Sequence, residues 1–251
     1  PGLAALIEKT VHNKTLSAST EFRAIEKCDV VVVTVGTPLG QNFDPDTKDI
    51  ISATESILPF VQDGQIIILK STVPPNITEK VVKPILEKSG KKFHLAFCPE
   101  RLAEGRAIVE LETIPVVVGG VDSESSKLSA LFWEKTLGLK TIIVDNAKSA
   151  ELVKLADNLW IDLNVALANE LAILSDKLGI DALQVIAAAN TLPKGAGQQH
   201  VNILAPSIGV GGYCLTKDPW FVHHLGKQLG VDLKTPVASR TANDQMPKYS
   251  Y

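Results

Sequence analysis

The sequence predicts an α/β protein in two parts: a parallel sheet covered by helices, then an all-helical part built on one long helix. Three observations carry this. Up to Asp145, continuous β-branched runs recur rather than alternating ones, which is how strands buried on both faces read. Segments with helical spacing lie between those runs, so strand and helix alternate. After Asp145 the runs cease, and one helical stretch extends from about Ala147 to Leu178.

Helical spacing over residues 2 to 9 opens the chain. The run Val30-Val31-Val32-Val33-Thr34-Val35 is the first strand, stopped by Gly36-Thr37-Pro38. Helical spacing returns over 47 to 58, and Gln65 to Lys70 is the second strand, closed by Ser71-Thr72-Val73-Pro74-Pro75. Weaker strands follow at His94 to Phe97, Pro115 to Val118 and Thr141 to Val144, with helices expected over 77 to 88 and 124 to 136. Gly179 is placed to end the long helix as a left-handed C′ residue. A shorter helix is expected over 181 to 190, then loops at Thr191 to Gly197 and Pro206 to Gly212. Asp218-Pro219 reads as an N-cap with proline at N1, so a helix should run from Pro219 to about Leu229, and another begins near Pro236. The first element is a helix with no strand before it, no Gly-x-Gly-x-x-Gly lies between a strand and a helix, and the chain stops soon after Pro236 inside that last helix, so both ends are expected to be incomplete.

Composition narrows the function classes. With 251 residues, 45% hydrophobic and 21% charged, there is ample material for a core, which excludes intrinsic disorder. A formal charge of −3 gives no field that would gather nucleic acid or an anionic membrane. No apolar run approaches the roughly 18 residues of a membrane helix, and Pro1-Gly2-Leu3 opens no leader, so a soluble cytoplasmic protein is expected. Three cysteines, Cys28, Cys98 and Cys214, are too few and too irregular for a disulfide framework and suit a reducing compartment. The five histidines show no metal-ligand spacing with them, so no metal is expected.

The strongest chemical signal is Gly209-Val210-Gly211-Gly212-Tyr213-Cys214, followed by Leu215-Thr216-Lys217-Asp218. Glycines allow unusual backbone angles and close ligand approach, and they deliver the cysteine just before a helix N-terminus, where a thiolate is favoured. An arbitrary cysteine is more often a small buried hydrophobe; here the glycines and Lys217 favour a nucleophile. On the long helix, Lys154 and Asn158 share one face, with Asn169 and Glu170 further on. They read either as a clamp for an oxyanion or as part of a solvated stripe, Glu151-Lys154-Asp157-Asn158. Cys98-Pro99-Glu100-Arg101 directly follows a strand end. Ligands of parallel sheets collect at the carboxyl edge, so Thr37, Thr72 and Glu100 fall where a crevice would be.

These motifs together, Val35-Gly36-Thr37-Pro38, Lys70-Ser71-Thr72-Val73-Pro74, Pro99-Glu100-Arg101-Leu102-Ala103-Glu104-Gly105, Glu151-Leu152-Val153-Lys154 with Asn158, and Gly209 to Asp218, resemble the nucleotide-sugar 6-dehydrogenases, the UDP-glucose/GDP-mannose dehydrogenase family. The stretches Asp162 to Leu171, Val201-Asn202-Ile203 and Asp218-Pro219-Trp220-Phe221 are most similar to its members that act on UDP-N-acetyl-D-mannosamine.

The resemblance implies a partial Rossmann-like sheet and NAD-dependent oxidation of a sugar C6 alcohol to a carboxylate in two hydride transfers. By the same resemblance, Cys214 forms a thiohemiacetal and then a thioester, Lys154 and Asn158 steady the oxyanion, Glu100 activates the hydrolytic water and Asp218 supports the lysine and water. Thr37, Thr72 and Glu104 match cofactor contacts; Arg101, Leu102, Lys154, Asn158, His200 and Gly209 match substrate contacts. It further implies a homodimer through the long helix and three parts: residues 1–145 as an incomplete NAD-binding domain, 146–232 as a helical dimerisation domain with the cysteine loop, and 233–251 as the start of a UDP-binding domain. Compared with the family, the first βαβ unit and the C-terminal domain are absent, so the chain alone is expected to turn over little. Ile161, Gln198 and His200 depart from the mannosamine pattern, which leaves UDP-glucose or UDP-N-acetylglucosamine as alternative substrates, and a dimerisation core without activity as the alternative of another class.

Overall fold

The structure, a computed structural model, describes residues 2–103, 105–192 and 201–251. Five strands, β1 (Val30–Val33), β2 (Ile66–Leu69), β3 (His94–Phe97), β4 (Val116–Gly120) and β5 (Thr141–Ile143), form one sheet in that order. Helices α1 (Leu3–His12), α2 (Lys48–Ile57), α3 (Lys83–Glu87), α4 (Ala107–Thr113) and α5 (Ser123–Leu137) are interleaved with them, and a π turn, Thr78–Val82, runs into α3. Beyond β5 come α6 (Ala147–Leu178), α7 (Ala182–Ala189), α8 (Asp218–Gln228) and α9 (Thr235–Ser250). The α/β and all-helical division therefore stands, with α6 on its expected bounds. Among the described residues no helix is long and apolar enough to cross a membrane.

The expectation of a wholly parallel sheet is corrected. β1, β2 and β3 are parallel, but β4 pairs antiparallel with β3, and β5 follows β4 in parallel. The reason lies in the link after β3. Among the described residues its only helix is the seven-residue α4, with no buried residue, so the chain does not cross a sheet face and β4 starts from the edge where β3 ends. β1 also stops two residues early, at Val33, freeing Thr34 to Thr37 as a strand-end loop.

Burial on both faces explains the continuous apolar runs. Ile67, Leu69, Leu95 and Phe97 pack with Ile50, Ile57, Leu86, Ala147 and Ala150 on one face. Ile68, Ala96, Cys98 and Val118 pack with Ala130 and Trp133 on the other. The start of α6 lies tight on the sheet because Gly119 has no side chain: a Cβ there would run into the Asn146 carbonyl and the Ala150 methyl. Asn146 caps the helix, its Oδ1 accepting from the Ser149 N–H at 2.9 Å, and Gly179, at φ 67°, closes it.

From that footing α6 is tied to the loop after β2. The fully buried Glu151 accepts from the Asn76 N–H (2.6 Å), the Thr78 N–H (2.8 Å) and the Thr78 hydroxyl (2.6 Å). The carboxylate thereby caps the π turn and α3 from outside. Burial pushes its carboxyl up to about 7, against the hydrogen bonds that oppose the rise. An acid raised in the folded state contributes stability that is complete below its unfolded value of 4.5 and lost as pH rises through about 7. The melting temperature should therefore fall between about pH 5 and pH 8, and Glu151→Gln should flatten that slope; parallel pH profiles of the two proteins would refute the assignment.

Candidate active site

A cavity of about 440 Å³ opens at the carboxyl edge of β1 to β3. Its walls include Thr37 and Thr72 from two strand-end loops, Glu100 and Leu102 from the loop after β3, Lys154 from α6, and Cys214 and Lys217 from the loop before α8. Six of the expected site residues, Thr37, Thr72, Glu100, Leu102, Lys154 and Cys214, thus share one hollow. The buried Thr37 hydroxyl donates to the Thr72 carbonyl at 2.6 Å, which fixes the two strand-end loops to each other.

Cys214 is exposed, as a nucleophile must be, whereas Cys98 is buried and burial pushes its thiol up to about 11. Cys28 is exposed too, its Sγ 3.6 Å from the Ala24 carbonyl, so of the two cysteines outside the glycine loop only Cys98 is packed away. The Cys214 carbonyl accepts from the Lys217 N–H (3.0 Å) and the Asp218 N–H (2.8 Å), so the thiol sits on the turn that launches α8. Asp218 does not cap that helix, as the sequence suggested. It is fully buried, with one carboxyl oxygen 2.6 Å from Lys217 Nζ and the other accepting from Asn158 Nδ2 at 2.5 Å. Lys217, itself 4% exposed, lies over the rings of Phe221 (4.4 Å) and Tyr213 (5.3 Å), which replace part of its lost hydration.

The solvated-stripe alternative for α6 fails at two of its four positions, because Glu151 and Asn158 are buried and hydrogen-bonded. Lys154 Nζ reaches Asn158 Oδ1 at 3.5 Å. A row therefore runs from Lys154 in the cavity, through Asn158 and Asp218, to Lys217.

Glu100 accepts from the Leu102 N–H at 2.8 Å and pairs with Lys70 Nζ at 3.0 Å. Partial burial raises its carboxyl, but these donors outweigh that and hold it below the ordinary value. Lys70, which also lies 5.3 Å from the Trp133 ring, was missed in the sequence. Its position at the end of β2, two residues before Thr72, was the available signal.

Other expected residues are not brought into the cavity. Arg101 turns to α6, pairing with Asp157 at 2.7 Å, and lines a separate hollow of about 400 Å³ with Lys154, Asn158 and Trp160. Gly209, at φ 136°, packs against α9 beside Pro247. Glu104 and His200 lie outside the described residues.

The cavity suits the reacting end of a nicotinamide cofactor. Gly36 stands bare in its wall, and a Cβ there would meet only the Tyr213 hydroxyl, at 4.0 Å, so a flat ring can approach the backbone closely. The sequence holds no Gly-x-Gly-x-x-Gly, so a pyrophosphate cradle of that kind is not among these residues.

A mixed sheet flanked by helices, joined through one cavity to a helical unit bearing a cysteine loop, defines the class as two-part α/β proteins. The chain belongs to the UDP-glucose/GDP-mannose dehydrogenase family: residues 1–136 match its NAD binding domain and residues 148–245 its central domain. A UDP-N-acetyl-D-mannosamine dehydrogenase of Methanococcus maripaludis is 35% identical over 253 residues, covering 99% of this chain and 55% of that protein. The structure of the UDP-D-ManNAc dehydrogenase of Pyrococcus horikoshii superposes with a TM-score of 0.90 at 30% identity, over 100% of this chain and 58% of that one. That of a UDP-glucose dehydrogenase from Pyrobaculum islandicum gives 0.87 at 26% identity, over 100% and 58%. The chain spans about half the length of the curated relatives it matches.

The buried Lys217–Asp218 pair yields a direct test. Asp218→Ala would leave an uncompensated ammonium in the interior and should cost about 3–5 kcal/mol in denaturant unfolding. A loss below about 1 kcal/mol, the scale of a surface pair, would show that the pair is not buried in solution.

Proposed function

We propose that the protein carrying this chain oxidises the C6 alcohol of a UDP-sugar, UDP-N-acetyl-D-mannosamine, to the carboxylate. The observation that carries the reading is the single cavity in which Cys214, Lys154 and Glu100 meet the strand-end threonines Thr37 and Thr72. NAD, held against Gly36, Thr37 and Thr72, would accept one hydride in each oxidation, so that two NAD are consumed per carboxylate formed.

The chain's own residues supply the rest. Once C6 is an aldehyde, Cys214 Sγ adds to its carbonyl carbon and the carbonyl electron pair moves to oxygen. Lys154, held by Asn158, faces that oxyanion, and Asp218 holds Asn158 in turn. Removal of hydride from the thiohemiacetal leaves a thioester. Water then adds to its carbonyl carbon, giving a proton to Glu100, and the C–S bond breaks to return the thiolate and release the acid. A carboxyl held low stays ionised and so is ready to take that proton, at some loss of basicity. Leu102 lines the sugar end of the cavity, and Arg101 and Gly209 support it from outside through α6 and α9. Glu104 and His200 complete the proposed cofactor and substrate contacts. The thiol chemistry suits a reducing compartment, the cytoplasm.

The same reading assigns residues 1–145 to NAD binding, 146–232 to a helical dimerisation part with the cysteine loop, and 233–251 to the start of a UDP-binding part, where α9, most of it within the central-domain match that runs to residue 245, leads from one part to the next. Residues 1–251 alone, without a glycine-rich pyrophosphate cradle, should turn over little. In the intact protein, Cys214→Ser should abolish acid formation when UDP-N-acetylmannosamine, UDP-glucose and UDP-N-acetylglucosamine are each supplied with NAD; undiminished acid output would remove Cys214 from the mechanism.

A second reading, compatible with the first, is that the chain is a dimerisation core. On α6, Leu152, Trp160, Leu163, Leu167, Leu174 and Leu178 recur at helical spacing, and each is more than two-fifths exposed. A stripe of that length suits a second copy of α6. Sedimentation should give a dimer at micromolar concentration and a monomer for Leu167→Glu; a monomeric parent would count against the dimer.

A further inference from the structure

Behind the cysteine loop, away from the cavity, lies a cluster of buried polar side chains that the proposed reaction does not use. Arg240 of α9 is 2% exposed, and Asp162, Asn169 and Asn243 are fully buried. Arg240 Nη1 donates to Asp162 Oδ1 at 2.8 Å and to the Leu215 carbonyl at 3.4 Å, while Nη2 pairs with Asp244. Asn243 Nδ2 donates to both the Asp162 carbonyl and Oδ1, each at 2.9 Å, and Asn169 Nδ2 donates to Asn243 Oδ1 at 2.9 Å. The other oxygen of this chain, Asn169 Oδ1, accepts from the Ser207 N–H at 2.8 Å.

The cluster thus grips the cysteine loop at two places: Ser207, before the glycines, and Leu215, directly after Cys214. Between those grips Gly209 is pressed on α9, where a Cβ would stand 3.2 Å from the Pro247 ring and 3.3 Å from the Asn243 carbonyl. Gly209 and Gly212 both have positive φ, so the segment has unusual backbone freedom and little intrinsic stiffness. A buried guanidinium–carboxylate pair is costly to desolvate, and this one is incompletely satisfied, since among the described residues neither Arg240 Nε nor Asp162 Oδ2 has a partner. Apolar side chains of similar size would pack α6 on α9 at less cost, but they could not hold the Leu215 carbonyl.

We propose that Arg240 and Asp162 are positioning residues that fix the Leu215 end of the loop and thereby hold the Cys214 thiol in register with Lys154. Neither lines the cavity; Arg240 acts on the loop backbone at Leu215 and Asp162 acts through Arg240, while Asn169, held by Asn243, secures the other end at Ser207. The role of the thiol in turnover rests on the proposed function, whereas its placement does not.

The test uses the intact protein with Arg240→Lys, which shortens the arm and removes its fork, and the near-isosteric Asp162→Asn. Iodoacetamide alkylation of Cys214 is followed by mass spectrometry with exposed Cys28 as the internal reference, beside kcat, sugar KM and thermal unfolding. The expected result is a change of about fivefold or more in the Cys214 rate with Cys28 unmoved, and a loss of about tenfold or more in kcat with KM within about twofold. Folded variants with an unchanged Cys214 rate would overturn the proposal. So would faster alkylation of both cysteines together, which reports general loosening, or failure of both variants to fold, which reports a purely structural pair. A shifted Cys214 rate in a protein whose parent oxidises no UDP-sugar would support the positioning role and remove the proposed reaction.

Discussion

The arrangement of the site depends on one buried carboxylate. Asp218 is fully enclosed and sits between Lys217 Nζ and Asn158 Nδ2, so both of its oxygens are spoken for at 2.6 and 2.5 Å. Removing either partner leaves charge in a medium that cannot solvate it, and the geometry is therefore steeply defended. Because Asn158 belongs to α6 and Asp218 opens α8, this contact joins the rod that carries Lys154 to the turn that carries Cys214. A shift of α8 along α6 by one helical turn would break it, so thiol and ammonium are held to one register.

The other half of the cavity is set by where the chain reverses. α4 is too short to cross the sheet, so the loop bearing Glu100 and Leu102 stays at the carboxyl edge and β4 leaves from that edge antiparallel to β3. A conventional crossover would have drawn the segment after Glu100 away over a face. Gly119 and Glu151 then aim α6: the first lets its opening turn lie against β4, and the second bonds it to Asn76 and Thr78 past the end of β2. Lys154 is three residues beyond Glu151, which brings its side chain to the same edge as Thr72.

What the sequence revealed and what it hid follow from the range of the interactions involved. The bounds of α6 were legible because Asn146 and Gly179 act locally, through a cap and a left-handed turn. The strands were legible because burial on both faces leaves a continuous apolar run, although the run cannot tell which way a strand points. Hence β4 was found but its direction was not. The state of Asn158 was undecidable, since an Asn one turn from a Lys reads the same whether it faces water or an aspartate 60 residues away. Lys70 was passed over for a similar reason: its carboxylate partner lies on the next strand's loop. The cavity residues Thr37, Thr72 and Glu100 were located because strand ends in parallel sheets converge whatever their sequence separation.

Charge pairing at the cavity shows how these pieces could work together. Three ammonium groups line it, from Lys70, Lys154 and Lys217. Lys70 is matched by Glu100 at 3.0 Å and Lys217 by Asp218 at 2.6 Å. Lys154 is different, because among the described residues its hydrogen-bond partner is the neutral Asn158 oxygen at 3.5 Å. A cation already neutralised by a close carboxylate has little to offer a new negative charge, whereas one held only by a long amide contact can move onto it. Interactions that strengthen as charge develops are the ones that lower a barrier. In the proposed reaction the ammonium available to the developing oxyanion is therefore that of Lys154, while Asp218 stays with Lys217 and Glu100 stays with Lys70 until it takes the proton of the attacking water.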